Sequence, residues 1–235
     1  MAEDKVIIVT GASQGIGAEV VKEFRRKGYR VVATSRSIKP SGDPDVLTII
    51  GDIADPKTAD LVVAEAVAKF GRIDTLVNNA GVFVARPFTD YSAEDYNRVL
   101  GTNLAGFFYL TQRAIEHMLK RGSGHVVNIT ASLADQPSSK LPAVLAALTK
   151  GGLNYATTSL AIEYASRGIR VNAVAPGVIK TPMHPEERHA LLATLHPVGR
   201  IGDVSDIAGA IMYLETAPFV TGEILHVDGG RNVGF

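Results

Sequence analysis

The chain has 235 residues, of which 46% are hydrophobic and 20% are charged, a composition typical of a globular protein with a substantial core. Lys plus Arg (24) equal Asp plus Glu (24), so no net charge recruits nucleic acid or an anionic membrane, and we expect neither as a partner. There is no cysteine, which excludes disulfides, thiol catalysis and cysteine-based zinc sites. The first residues are acidic where a secretory signal needs basic ones, and no run of about 18 apolar residues occurs, so we expect a cytoplasmic protein.

Short β-branched runs alternate with helical stretches along almost the whole chain. The predicted strands are residues 6–10, 30–34, 47–51, 75–78, 125–129, 170–175 and 224–227, and the main predicted helices are 18–27, 58–70, 93–120 and 147–166. This alternation predicts an α/β fold, a single Rossmann-type domain over residues 1–235 with a doubly wound parallel sheet of seven strands. The longest irregular stretch, 182–198, is typical of a lid or a binding loop.

A glycine-rich loop joins the first predicted strand to the first predicted helix. Gly11, Gly15 and Gly17 are spaced to allow a tight turn, a close approach of backbone to a pyrophosphate, and close packing of helix on strand. The free N–H groups and the dipole of the helix start also favour phosphate. The strand before and the helix after distinguish this loop from a merely glycine-rich turn, and they predict a dinucleotide site. We expect the residues between the glycines to line it: Ser13, Gln14 and Ile16.

The residues after the second and third predicted strands bear on the choice of cofactor. In dinucleotide-binding folds an acid at the end of the second strand holds the ribose hydroxyls, whereas an arginine accommodates a 2′-phosphate. Here Ser35 and Arg36 follow that strand and no acid does, so NADP(H) is predicted to be preferred over NAD(H). The alternative is that Arg36 is an ordinary solvated arginine. Asp52 and Ile53 follow the third strand, where a carboxylate could accept the adenine amino group.

From end to end the motifs resemble those of the short-chain dehydrogenase/reductase family. The loop from Thr10 to Gly17 is similar to the TGxxxGxG signature of that family, residues 78–81 resemble its NNAG motif, and residues 220–230 resemble its C-terminal signature. The resemblance implies that Asn103 holds a proton-relay water and that Ser132 hydrogen-bonds the substrate oxygen. It also implies further residues around the cofactor: Asn79, Ala80, Gly81, Lys150, Pro176, Gly177, Val178, Ile179 and Thr181.

One position departs from the family pattern. The family has a catalytic tyrosine four residues before a lysine, one helical turn away on the same face. Lys150 matches the lysine, but position 146 is alanine, and the next tyrosine, Tyr155, comes five residues after the lysine. Ser132 lies 14 residues before Ala146, about the expected spacing, which supports this register. Ala146 is either native to a divergent branch or an engineered Tyr→Ala change, and its small apolar neighbours favour a native difference.

Hydride transfer does not require the tyrosine, because general acid–base assistance typically contributes about 10²–10⁴-fold. Ser132 could polarise a carbonyl while Lys150 or a water delivers the proton. Alternatively, Lys150 only orients the nicotinamide ribose, and the sequence leaves both roles open.

Other polar residues could replace the missing acid. His184, His189 and His196 fall in the irregular stretch that covers the substrate in relatives, although such histidines more often face solvent. Asp135 is expected to be an exposed loop carboxylate. No His, Asp and Glu cluster has metal-ligand spacing, so we expect no metal.

The sequence thus predicts an NADP(H)-dependent oxidoreductase that transfers a hydride between nicotinamide and a small carbonyl, alcohol or imine substrate. The alternatives are a dinucleotide-binding homologue with impaired catalysis, and a dehydration or epimerisation reaction on the same scaffold. The family resemblance implies a homotetramer, in which helices 93–120 and 147–166 pack across a two-fold axis. A stripe of small residues on the second of these helices suits close helix approach, or burial against the sheet: Leu153, Ala156, Thr157, Leu160 and Ala161.

Overall fold

The structure is a computed structural model that describes residues 5–137 and 141–234. Its strands are β1 (Val6–Thr10), β2 (Arg30–Ser35), β3 (Val46–Ile50), β4 (Thr75–Asn78), β5 (Gly124–Ile129), β6 (Ile169–Pro176) and β7 (Ile224–Val227). They form one parallel sheet in the order β3-β2-β1-β4-β5-β6-β7. The predicted Rossmann-type fold is therefore confirmed, and each predicted strand agrees with the observed one to within one residue at either end.

Helices cover both faces of the sheet. They are α1 (Gly15–Arg26), α2 (Pro56–Phe70), α3 (Ala93–Leu100), α4 (Gly106–Arg121), α5 (Val144–Tyr164), α6 (His189–Ala193) and α7 (Val204–Thr216). Alternate strand residues point to opposite faces, so Ile8 packs in the core beneath α2 and α4, whereas Ile7 and Val9 pack in the core beneath α1 and α7. Both faces of every central strand are consequently dry, as a parallel sheet requires.

The long helix predicted over 93–120 is interrupted. A π-helical turn, Gly101–Ala105, separates α3 from α4 and contains the buried Asn103. The Asn103 side chain accepts a hydrogen bond from the Val82 backbone N–H (2.9 Å) and donates one to the Val82 carbonyl (3.1 Å). A π-helical turn contains one residue more than an α-helical turn, and here it accompanies the hydrogen bonds between Asn103 and the loop of Val82. The helical periodicity of the sequence does not reveal this feature.

The last helix, α7, is not among the helices predicted from the sequence. Its start is set by Asp203 and Asp206, which form a capping box with reciprocal side-chain to backbone hydrogen bonds. Helices α1 and α5 each begin three residues earlier than predicted, at Gly15 and Val144. Helix ends are fixed by capping and loop contacts, which periodicity alone does not encode.

The small-residue stripe of α5 faces the chain's own sheet. Leu153, Thr157 and Ala161 are buried in this single chain, so the alternative of burial against the sheet is the correct one for them. The large apolar residues that α5 exposes are Val144, Leu148, Tyr155 and Ile162. Although α5 is long, no helix within the described ranges is both long and apolar enough to cross a membrane.

A buried polar cluster lies at the amino ends of the strands, opposite the glycine loop. Glu215, near the end of α7, accepts hydrogen bonds from Tyr29 Oη (3.0 Å), Thr75 Oγ1 (3.0 Å) and His125 Nδ1 (2.8 Å). The other ring nitrogen of His125 accepts from the Asn172 amide at 3.1 Å. Burial lowers the pKa of His125, so the ring is neutral. Its single N–H donates to the Glu215 carboxylate, and the hydroxyls of Tyr29 and Thr75 donate to the same group. This cluster ties α7 to the sheet across three strands.

We expect Glu215→Gln to lower the free energy of unfolding by about 1–3 kcal/mol, because an amide cannot accept from all three donors. Urea unfolding followed by circular dichroism measures this. The matched control is Glu116→Gln, an exposed carboxyl that lies 3.6 Å from Arg113, where a change within about 0.5 kcal/mol is expected. Equal unfolding midpoints for the two variants would contradict the role assigned to the cluster.

Candidate active site

A cavity of about 780 Å³ opens at the carboxyl edge of the sheet. All seven strands point toward this edge because they run parallel. The size suits a bound cofactor or a small ligand. Most residues that the sequence predicts around a dinucleotide line this cavity, so the tertiary structure brings them together.

The glycine loop forms one wall of the cavity. Gly11 (φ +64°) and Gly15 (φ +57°) have left-handed backbone, which favours glycine. Gly17 does not line the cavity: a Cβ there would lie 2.4 Å from the Gly11 carbonyl oxygen, so its role is close packing of α1 on the loop. Ser13, Gln14 and Ile16 line the cavity beside Gly11 and Gly15.

The first turn of α1 is left open for an anion. Gln14 occupies the N-cap position without a side-chain capping bond, and no acidic residue stands in the first turn. The free N–H groups and the dipole at this helix end therefore present positive charge to the cavity. A diphosphate fits this cradle. A Cβ at Gly15 would lie 3.2 Å from the Thr181 side chain and would narrow the cradle.

Polar residues at the ends of β2 and β3 line the far arm of the cavity. The Ser35 hydroxyl accepts from the Ser37 N–H at 3.2 Å, and Asp52 accepts from the Ala54 N–H at 3.0 Å. Ile53 lies buried beside Asp52. Arg36 is exposed and forms no hydrogen bond or ion pair with any residue that the structure describes. Its guanidinium is free to meet a ligand.

Asn79 holds the glycine loop in shape. Its amide donates to the carbonyls of Thr10 (2.9 Å) and Gly11 (3.2 Å), while the Thr10 hydroxyl accepts from the N–H groups of Asn79 and Ala80. These bonds lock the end of β1 to the end of β4. Asn79, Ala80 and Gly81 all line the cavity, as predicted.

Lys150 and Ala146 lie one helical turn apart on α5 and both line the cavity. The Lys150 ammonium donates to the Ile129 carbonyl at 2.6 Å. A Cβ added at Gly81 would lie 3.3 Å from Nζ and 3.5 Å from Asn103 Oδ1, so these three residues meet at one point. Burial, with no acid close by, lowers the pKa of Lys150 to about 8. Ala146 is 3% exposed and offers only a methyl group.

Ser132 is placed differently from the sequence prediction. Ser132 is 1% exposed, its hydroxyl has no hydrogen-bond partner among the described residues, and it does not line the cavity, whereas its neighbours Ala131 and Leu133 do. Since a hydroxyl must reach the substrate oxygen to polarise it, the predicted role needs a rearrangement that this structure does not contain. In the tight turn Ser132–Ala134 that follows β5, successive side chains point in different directions, and residue spacing cannot resolve which one faces the cavity.

Asn103 likewise stands beside the cavity and not in its wall. Its side-chain oxygen and nitrogen are both engaged, with the Val82 backbone and with the Thr149 hydroxyl at 3.1 Å. The side chain therefore fixes the loop that carries Val82 and the start of α5. Both amide hydrogens are used, and the second lone pair of Oδ1 is the position at which this side chain can still bind a water.

The loop after β6 closes the cavity opposite the glycine loop. Pro176, Gly177, Val178, Ile179 and Thr181 line it. Gly177 permits a close approach, because a Cβ there would lie 2.7 Å from the His196 ring. The segment predicted to grip the nicotinamide side therefore does face the same space as Lys150.

The three histidines of the irregular stretch have different positions. His196 is buried outside the cavity, where Nε2 accepts from the Val178 N–H (3.0 Å) and Nδ1 donates to the Leu192 carbonyl (3.1 Å). His189 bonds to the His184 carbonyl at 2.8 Å. Only His184 of the three lines the cavity, and burial lowers its pKa, so it is neutral near pH 7 and a poor acid.

Asp135 has a structural role. It accepts from the Asn154 amide at 3.1 Å and pairs with His226 at 2.9 Å, which joins the turn after β5 to α5 and β7. Within the described ranges no group of three or more His, Cys, Asp or Glu residues could hold a metal ion.

Sequence reasoning missed an apolar wall and two arginines of the cavity. The wall includes Val82, Phe83, Leu133, Leu141, Leu191 and Leu195. Arg188 and Arg231 add positive charge. These residues come from loops and short turns distant in the sequence, and no local pattern marks them.

Comparisons with known proteins agree on one kind of protein. The profile of a family described as enoyl-(acyl carrier protein) reductase matches residues 11–232. The 3β-hydroxysteroid dehydrogenase 1 of Eggerthella lenta is 36% identical over 97% of this chain and 94% of its own length. The structure of ElxO with NADP bound has a TM-score of 0.91 and 31% identity, covering 98% of this chain and 99% of that one. The 3-ketoacyl-(acyl-carrier-protein) reductase of Brucella melitensis, complexed with NADH, has a TM-score of 0.91 and 30% identity, covering 99% of this chain and 100% of that one.

Proposed function

This chain belongs to the short-chain dehydrogenase/reductase family of oxidoreductases, and on that premise we propose that it uses NADP(H) to reduce a small carbonyl or imine, or to run the reverse reaction. The observation that carries the proposal is one continuous cavity that is lined both by Arg36, which has no ion pair with any described residue, and by Lys150, whose pKa is lowered to about 8. The first suits the adenosine 2′-phosphate and the second suits proton transfer.

The cofactor would lie along the cavity from β2 to β6. Its diphosphate would meet the open first turn of α1, its 2′-phosphate Arg36, and its adenine the Asp52 carboxylate. The nicotinamide ribose would meet Lys150, and the loop of Gly177 and Thr181 would cover the nicotinamide side. A bound nicotinamide supplies or accepts the hydride.

In this proposal Lys150 delivers the proton. Burial brings the pKa of Lys150 to about 8, so the group is still mostly protonated at neutral pH and can give up its proton readily. The ammonium is held by the Ile129 carbonyl, which leaves two N–H bonds for the ribose and the substrate oxygen. During carbonyl reduction the substrate oxygen takes one proton from Lys150 and becomes a hydroxyl, and water then reprotonates the amine.

The remaining predicted catalytic residues have supporting roles here. Asn103 positions the loop of Val82 and the start of α5, and through them Lys150. Ser132 would act directly only if the turn after β5 opened. A competing proposal, a dinucleotide-binding homologue without hydride transfer, is favoured by Ala146 and by the closed position of the Ser132 hydroxyl.

We also propose a homotetramer. The support is the apolar surface that α4 and α5 leave exposed in the single chain: Phe108 is 57%, Leu148 57%, Tyr155 82% and Ile162 83% exposed. The cytoplasmic location expected from the sequence stays a prediction.

For the cofactor, we expect NADPH to bind about ten- to a hundredfold more tightly than NADH, because a charged hydrogen bond to the 2′-phosphate adds about 1.5–3 kcal/mol. Arg36→Asp should reverse that order through charge repulsion. Fluorescence titration of both cofactors measures it, with Lys39→Asp as the control, since Lys39 is exposed near Arg36 but does not line the cavity. Equal affinities for NADPH and NADH in the unmodified protein would refute the preference.

For the missing acid, we expect Ala146→Tyr to slow reduction of the larger accepted substrates and to shift preference toward smaller ones. Ala146 is 3% exposed and set among apolar residues, so an added ring takes up cavity space. The measurement is kcat/KM over substrates of graded size, with Ser159→Tyr, exposed on the same helix, as the control. A rate gain of about 10²–10⁴-fold on the same substrate would instead identify a family site that merely lacks its acid.

A further inference from the structure

Arg231 enters the cavity from the end of the chain. It begins the short turn Arg231–Val233 that follows β7. This turn packs on the turn Ser132–Ala134, which follows β5. Its side chain lines the cavity and is half-buried. The guanidinium is therefore partly withdrawn from water.

No carboxylate within residues 5–137 and 141–234 forms an ion pair with this guanidinium. The nearest acid, Asp228, uses its two oxygens to accept from the N–H groups of Gly230 (3.0 Å) and Asn232 (2.7 Å). Arg231 forms no side-chain hydrogen bond or ion pair with any residue in the described ranges. Burial lowers the pKa of Arg231 although the charge of Asp228 opposes it. A half-buried cation that lacks a partner inside the protein is favourable when a bound anion supplies one.

The phosphates of a dinucleotide are expected to bind elsewhere along the sheet edge. The proposed 2′-phosphate site follows β2 and the diphosphate cradle follows β1, whereas the Arg231 turn packs on the turn that follows β5. In the sheet order β5 is three strand spacings from β2 and two from β1, or about 14 Å and 10 Å at about 4.8 Å each. This separation favours an anion of another ligand as the partner of Arg231.

Much of the wall of the cavity that Arg231 enters is apolar. Leu133 precedes Ala134 in the turn on which the Arg231 turn packs, and Phe83, Leu141, Leu191 and Leu195 line the same cavity. A ligand with an apolar body and one negatively charged end matches this combination. Arginine binds a carboxylate through two parallel N–H···O bonds, which fixes the orientation of the ligand as well as its charge.

We propose that the substrate is an oxo acid, an apolar carbonyl compound with a carboxylate that Arg231 binds. The carbonyl part of this assignment rests on the proposed oxidoreductase function. The carboxylate site does not, and it can be tested by binding alone. Arg188 also lines the cavity and has no ion pair among the described residues. It is exposed on the turn before α6, so water screens its charge and it would bind a carboxylate more weakly than the half-buried Arg231.

The first experiment measures binding. Calorimetric titration of the protein, with and without saturating NADP⁺, uses straight-chain alkanoates of increasing length and the matching primary amides. We expect the best alkanoate to bind about ten- to a hundredfold more tightly than its amide, the range of a charged hydrogen-bonded contact. Arg231→Gln should remove the difference and Arg231→Lys should keep part of it. Arg188→Gln should keep most of it.

The control is Arg167→Gln, at an exposed arginine stacked on Tyr164 outside the cavity, which should leave the alkanoate preference unchanged. Equal binding of acids and amides by the unmodified protein would overturn the proposal. So would an alkanoate preference that survives Arg231→Gln in a variant with unchanged circular dichroism.

The second experiment follows NADPH absorbance with ω-oxo acids and their methyl esters. We expect kcat/KM for the acid to fall about tenfold or more in Arg231→Gln, with the ester changed less than twofold. If no carbonyl compound is reduced but alkanoates still bind through Arg231, the proposed reaction fails while the carboxylate site stands. Equal losses for acid and ester would assign Arg231 a structural role and overturn the proposal.

Discussion

Seven strands that run in one direction bring all their carboxyl ends to the same edge of the sheet, and the site depends on this constraint. The hydrogen bonds that Asn79 and Thr10 exchange between the ends of β1 and β4 then hold the glycine loop open at the centre of that edge. Because the cavity extends from this centre past the ends of β2 and β6, the shape of the loop limits where a ligand can lie along it.

The chemistry of the cavity depends on the side chains near its middle, above all on Lys150. Lys150 is buried with no acid nearby to offset the desolvation of its charge, so its ammonium is easier to deprotonate than that of an ordinary lysine. Position 146 offers only the methyl group of Ala146, and the Ser132 hydroxyl is buried outside the cavity lining. Arg36 and Arg231 line the same cavity and form no ion pair with any described residue.

The sequence predicts those parts of the structure that depend on local patterns. Strand positions follow from β-branched runs, and the cofactor arm follows from glycines whose spacing is tied to backbone geometry. The π-helical turn at Asn103 was not predictable, because it accompanies hydrogen bonds to Val82, some twenty residues away in the chain. The direction of the Ser132 side chain depends on the exact path of a tight turn, and spacing along the chain is too coarse for that. Arg231 joins the cavity only because β7 closes the edge of the sheet, which no local motif encodes.

Single-turnover oxidation of bound NADPH, by excess aldehydes, ketones and cyclic imines over a range of pH, tests the central claim most directly. The account predicts that at least one class of substrate oxidises NADPH, and that the rate of reduction falls as the pH rises through about 8, since Lys150 then loses the proton it must donate. The fall should disappear in Lys150→Met, together with most of the rate. No oxidation of bound NADPH by any of these substrates, or a rate unaffected by pH across this range, would contradict it.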